Sequence, residues 1–314
     1  MSPAGRRTSQ AAGGGNSSAG RASQAAGGGN SSAGRRTRRT RRRRQRRRHD
    51  VLGLLVAAVI GFPVYWMVLT AFRPATEILS LPPEFWPSNP TLANFSRAMG
   101  TETFWANVRS SAVIGLGTVL VSLLVGTLAA FALARFRFAG RKAFVVVILT
   151  VQMIPLAALV IPVYLLLNDA GLTDSLVGVI VVYLVFTLPF TVWMLHGFIA
   201  AIPVELEEAA MVDGCGRLGA FVRVVLPLLA PGLVATSVFA MVQAWNEYVL
   251  VYVLLSTPEK QTLSIWLVSF QTSFGTDYGG LMAGATLTAL PVVVFFLAVH
   301  RKIAAGLATG AVKG

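Results

Sequence analysis

The sequence predicts an all-α integral membrane protein with six transmembrane helices, and three observations carry that reading. Of the 314 residues, 54% are hydrophobic and only 13% are charged, against roughly 25% charged in soluble domains. Mean hydropathy is +0.66. Six apolar stretches reach the ~20 residues that a helix needs to cross the hydrocarbon. Lys and Arg also fall unevenly on the two sides those stretches would define.

Residues 1–50 stand apart from the rest. They hold 14 Arg and one Asp, whereas residues 51–314 hold 13 Lys and Arg against 12 Asp and Glu, so the net charge of +14 belongs almost wholly to this tail. The segment SQAAGGGNSSAGR at 9–21 recurs unchanged at 23–35. Gly, Ser, Ala and Asn in such repeats bury too little to offset the entropy of ordering, so disorder is expected. The Arg block that follows reads as a solvated cytoplasmic anchor. No aromatic residue is interleaved in it as a stacking platform for nucleic acid would require, so no nucleic-acid partner is expected. A start assigned upstream of the native one is the other reading of these residues.

The six expected spans are 51–72, 108–134, 143–167, 176–200, 228–255 and 281–300. The first follows a basic region, but it is too long for a signal-peptide core and has no A-x-A-like site beyond it. With the tail inside, the inner connections and C-terminus hold nine Lys and Arg (Arg135, Arg137, Arg141, Lys142, Arg217, Arg223, Arg301, Lys302, Lys313), and the outer ones hold four (Arg73, Arg97, Arg109, Lys260). Both termini are therefore expected in the cytoplasm. The chain then divides into the tail 1–50, the first helix 51–72, an extracytoplasmic loop 73–107, a five-helix core 108–300 with a cytoplasmic loop 201–227, and a cytoplasmic tail 301–314.

Prolines 63, 155, 162, 189 and 291 fall inside spans and should kink them where neighbouring helices or a cavity satisfy the freed carbonyls. Gly115, Gly117, Gly126, Ala129 and Ala130 in the second span suit close helix packing. Between the last two spans, Trp266, Phe270 and Phe274 have near-helical spacing, which predicts an interfacial helix.

The loop 201–227 gathers Glu205, Glu207, Glu208 and Asp213 within nine residues. Pro203 and the acids favour a helix start there. Gly214 and Gly216 can end it, since glycine accepts the left-handed conformation of a C-cap. A second helical stretch at 217–225 then leads to Pro227.

The spacing in this loop is specific. Glu208-Ala209-Ala210, three residues, Gly214, nine residues, Val224, one residue, Leu226-Pro227 resembles the E-A-A-x3-G-x9-I-x-L-P motif of ABC importer permeases, with Val224 in place of Ile. TLANF at 91–95, QAWNEY at 243–248 and GLATGAVKG at 306–314 are similar to the binding-protein-dependent carbohydrate-uptake permeases of that class, in particular the MalG-like inner-membrane subunit.

The resemblance implies the type I importer (MetI-like) permease fold in a bacterial plasma membrane. The partners it implies are a cytoplasmic ABC ATPase dimer, a second and non-identical MalF-like permease subunit, and an extracytoplasmic solute-binding protein. Glu208, Ala209, Ala210 and Gly214 would dock in the ATPase, Val224 completes the motif, and Leu226-Pro227 would set the angle of the fifth span. The terminal GAVKG would reach toward the ATPase dimer.

No Gly-Lys dipeptide occurs, so a P-loop is excluded and any ATP is used by a partner. No cofactor is expected. One cysteine and three scattered histidines give no metal-ligand spacing, and no nucleophile–base pair suggests an enzyme.

Glu247 is the carboxylate placed well inside a span, beside Trp245, Asn246 and Tyr248. Two readings stand for it. It contacts solute with its polar and aromatic neighbours, as sugar hydroxyls would require, or it satisfies freed backbone groups at a helix break. Gln152, next to Pro155, is a further solute-path candidate. The alternatives are an ion-gradient-driven transporter, which predicts repeats and several buried carboxylates, and an ABC importer for a non-sugar polar solute.

Overall fold

The structure is a computed structural model that describes the backbone of residues 31–310 and the side chains of residues 50–299. The chain divides at Pro63. Helix α1 (Ser31–Ala71) includes Pro63 and becomes continuously apolar from Val51. It starts at Ser31 and so takes in the Arg block. Arg is a good helix former. The remainder of that tail, 1–30, and the C-terminal 311–314 lie outside the described residues.

From Val64 onward, α2 (Ala75–Ile78) and α3 (Ala93–Met99) occupy the first long connection. Asn94, almost fully buried, donates to the carbonyls of Ala71 and Arg73 and holds α3 against the end of α1. Helix α4 (Phe104–Arg135) runs 32 residues without a proline. Then α5 (Arg141–Val151) and α6 (Leu156–Asp169) meet at a bend of 101°. The expected kink at Pro155 is thus a full break, because Pro155 starts α6 in an extended conformation and cannot continue α5.

Helix α7 (Leu176–Ala200) begins where the Ser175 hydroxyl accepts from the Gly178 amide. It packs along α4 through the small residues the sequence singles out. A Cβ on Gly126 would stand 2.6 Å from Thr191 Cγ2, and one on Gly117 would stand 2.7 Å from Ile180 Cδ1. Buried Ser122, Thr187 and Thr236 return their hydroxyls to carbonyls of the preceding turn, so these three polar residues pack between helices with their donors satisfied.

The loop after α7 folds as α8 (Val204–Val212), α9 (Arg217–Ala220), a π-helical turn (Phe221–Val225) and α10 (Leu226–Leu228). Helix α11 (Ala230–Asn246) leaves this segment at 71° and stops at Glu247, short of the expected 255. Glu247 is extended there, and the chain restarts as α12 (Val249–Leu254).

A 3-10 turn (Pro258–Lys260), α13 (Leu263–Val268) and a two-stranded hairpin, β1 (Gln271–Thr272) with β2 (Gly275–Thr276), lead to α14 (Tyr278–Gly310). The near-helical aromatic spacing at 266–274 therefore combines two elements. Trp266 lies on α13, buried, with its indole donating to Thr101 Oγ1, and Phe274 stands exposed on the hairpin.

Among the described residues, four helices are long and apolar enough to cross a membrane, and six spans result if each bent pair counts as one. Leu120, Leu124, Val181, Val185 and Trp193 face outward from α4 and α7, as a hydrocarbon solvent favours.

Candidate functional site

The α8 segment builds one candidate site. Glu205 and Glu207 stand in its first turn, where the helix dipole favours negative charge. The acidic cluster then divides. Glu207 is buried, while Glu205, Glu208 and Asp213 are exposed. Glu207 Oε1 accepts from Arg135 Nε at 2.6 Å, and Arg135 Nη2 donates to the Ile202 carbonyl at 2.9 Å. Glu208 and Ala209 face solvent, with Ala210 half-buried behind them.

The helix ends in a Schellman arrangement. The Cys215 amide donates to Ala210 and the Gly214 amide donates to Met211, with Gly214 at φ +89°. Leu206, Val212 and Leu218 leave an apolar surface on α8 and α9.

Behind them, Phe221 and Val225 are buried with Ala130, Leu195, Ile199 and Leu229. Val224 and Leu226 are half-buried and Pro227 is exposed. The π-turn ends two residues before Pro227, whose ring nitrogen cannot donate to the carbonyl four residues back. Sequence spacing located this loop. It did not reveal that Glu207, one residue before the motif, turns inward to Arg135.

A second candidate site lies where the two broken helices face α7. A cavity of about 530 Å³ is lined by Gln152, Tyr183, Phe186, Gln243, Asn246 and Tyr248, with Glu247 at its wall. Glu247 Oε1 accepts from the Leu250 amide at 2.9 Å. Its Oε2 accepts from the Val251 amide at 3.2 Å and from the Tyr183 hydroxyl at 2.9 Å. The carboxylate thereby caps α12, which is the backbone-satisfying role that the sequence left open.

Gln152 Nε2 donates to the Phe186 carbonyl, and Asn246 Nδ2 donates to the Val242 carbonyl. Trp245, grouped with these residues in the sequence, points elsewhere. It is buried between α4 and α14 and donates its indole N–H to the Thr288 carbonyl. The helix period explains this, since consecutive residues of α11 lie about 100° apart around the axis. Tyr183 and Gln243 line the cavity without having been singled out. Tyr183, a hydroxyl in the middle of an apolar span, was the available signal.

At the far end of α7, Asp174 joins two connections. It adopts φ +51° and donates its amide to the Leu254 carbonyl. Its carboxylate accepts from the Ser256 and Thr257 amides, from Thr257 Oγ1 and from Lys260 Nζ at 2.7 Å. Burial pushes its pKa up, but the hydrogen bonds from Lys260 and Thr257 and the Lys260 charge outweigh this and hold it well below the usual carboxylate range. Among the described residues, no group of three or more His, Cys, Asp and Glu is gathered as a metal site would require.

Residues 122–308 match the family described as binding-protein-dependent transport system inner membrane component. The diacetylchitobiose uptake system permease protein DasC of Streptomyces coelicolor is 47% identical over 253 residues, covering 81% of this chain and 92% of DasC. The trehalose transport system permease protein SugB of Mycobacterium tuberculosis is 34% identical, covering 84% and 96%. A chain from the crystal structure of a bacterial ABC transporter that imports the acidic polysaccharide alginate matches the fold with a TM-score of 0.70 at 21% identity. It covers 82% of this chain and 96% of that one.

Proposed function

Because the chain belongs to the family of inner membrane components of binding-protein-dependent transport systems, we propose that it is the membrane-spanning permease subunit of an ATP-driven importer. It takes up a sugar or oligosaccharide delivered by an extracytoplasmic solute-binding protein, working with a second permease subunit and an ATPase dimer in the bacterial plasma membrane. Relatives named for diacetylchitobiose and trehalose favour a solute of disaccharide size.

The observation that carries the coupling role is the α8 loop. Its exposed Glu208-Ala209, with Ala210 behind, and the exposed apolar side chains of α8 and α9 form a small-residue ridge beside a charge. Such a ridge suits the groove of a cytoplasmic ATPase. Gly214 sets where α8 ends, and Val224, Leu226 and Pro227 set the direction in which α11 leaves. The excess of Lys and Arg in this loop and near both termini supports a cytoplasmic position for them.

Solute passes the cavity at the helix breaks. Its volume falls within the roughly 300–1,000 Å³ of small-molecule sites. Gln152, Gln243, Asn246 and Tyr248 offer neutral donors and acceptors to sugar hydroxyls, beside the aromatic ring of Phe186. Glu247 shapes this wall through α12. Trp245 supports it from behind. Hydrolysis of ATP takes place in the partner, and this chain contributes the path and the coupling.

An ion-gradient mechanism finds little support here. The carboxylate at the cavity wall already accepts from two backbone amides and a tyrosine, so it is poorly placed to carry a proton or sodium ion. The test is uptake of labelled diacetylchitobiose or trehalose in cells that express the chain with its sister subunit, ATPase and binding protein. Uptake should persist after collapse of the proton gradient and stop when ATP is depleted. Uptake that follows the gradient with ATP intact overturns the proposal.

A further inference from the structure

The α8 loop grips one end of α4 with both of its arms. Arg135, the last residue of α4, pairs with Glu207 and donates to the Ile202 carbonyl. Both side chains of the pair are about nine-tenths buried, at 11% and 10% exposure. The next residue, Phe136, lies under the Arg217 guanidinium of α9 at 5.8 Å. One turn back, the Phe131 ring meets Phe221 of the π-turn at 4.7 Å.

Helix α4 differs from the other spans. It has neither an internal proline nor a break, whereas each of the other described spans has one or both. Its 32 residues make a rod of about 48 Å. Near its other end, Ser110 donates to the Glu259 carbonyl and Ser111 accepts from the Leu263 amide, which fixes α4 to the segment after α12. A kinked helix can absorb a displacement at its kink. An unbroken one passes it on.

We propose that Arg135 is a positioning residue that ties α8 to α4, so that a displacement of α8 reaches the opposite end of the molecule along α4 as well as through the covalent connections to α7 and α11. The inference rests on the permease reading given above. Arginine fits the task because its planar fork serves two acceptors at once, here a carboxylate and a carbonyl. A buried pair resists slipping, since separating it strands a charge away from water.

The test uses the full complex of both permease subunits, ATPase and binding protein in proteoliposomes. The double variant Arg135→Met/Glu207→Leu removes the tie without stranding a charge. It should keep its sister subunit, ATPase and basal hydrolysis, yet lose about tenfold of the hydrolysis stimulated by solute-loaded binding protein, together with uptake. Glu207→Gln, whose amide oxygen can still accept from Arg135 Nε, should recover most of that stimulation.

Three results would overturn the inference. They are wild-type stimulation in the double variant, loss of the ATPase or sister subunit from it, and a Glu207→Gln protein no better coupled than the double variant. The wild-type arm isolates the premise, because a wild-type complex without ATP-driven uptake sinks the permease reading and not the role of Arg135 within it.

Discussion

Gly214 holds φ at +89°, and nothing lies within 4 Å of where its Cβ would be. A side chain there meets conformational strain and no clash, so Gly214→Ala should weaken the α8 cap by ~1 kcal/mol. Asn tolerates the left-handed region better, so Gly214→Asn should keep more solute-stimulated ATPase activity than Gly214→Ala. Equal activity of all three proteins would show that the left-handed cap is not needed for coupling. Asp174 is a non-glycine residue held at positive φ, and Asn again separates charge from backbone strain. Its pKa is lowered in the folded state, so the unfolded chain binds the proton more readily. The charge therefore stabilises the fold above the unfolded value of about 4, and this contribution fades as pH falls toward the lowered folded value. Thermal unfolding in detergent should show Asp174→Asn about 1 kcal/mol, or roughly 2–4 °C, below wild type at pH 7. The gap should narrow at pH 3, and a gap independent of pH would contradict the assignment.

At the scale of elements, α12 exists because Glu247 supplies its missing N-terminal acceptors. Glu247→Gln should destabilise that turn by ~1 kcal/mol and reduce uptake without altering which sugar is preferred. A change in sugar preference would instead assign direct solute contact to this residue. Tyr183→Phe removes a donor to the same carboxylate, so the two substitutions should combine less than additively in a stability measurement. The α4–α7 pair is closed by Gly126 against Thr191. Gly126→Ala should cost ~1–3 kcal/mol by overpacking. Thr191→Ser removes the methyl it would strike, so the double substitution should recover stability, and failure to recover would mean that this approach is not the tight point between the helices.

For the whole molecule, the charged connections predict an orientation with the α8 loop inside. A cysteine placed at exposed Ser88 should react with an impermeant thiol reagent added outside intact cells, while Cys215 in the α8 loop should not. The reverse pattern would move the α8 loop away from any cytoplasmic ATPase and remove the physical basis of the coupling proposal.

Local chemistry in the sequence determined much of this. Hydropathy fixed the number of spans, because crossing a bilayer demands a minimum apolar length whatever the neighbours are. The motif spacing located the α8 loop, and Gly214 and Pro203 marked the ends of its first helix through backbone preferences that act within one turn. Small residues in 108–134 marked the packed face of α4, because only short side chains let a neighbouring helix approach closely. Tertiary structure decided how polar groups were shared. It gave Glu207 to Arg135, 72 residues away, and Glu247 to α12 and Tyr183. It sent Trp245 to Thr288 and brought Tyr183 and Gln243 into the cavity. It also broke the fifth span at Glu247 and the third at Pro155, turning two expected rods into walls of a cavity. A buried carboxylate or indole must find whatever donor or acceptor the fold brings near. That partner is set by the packing of distant helices, which spacing along the chain does not encode.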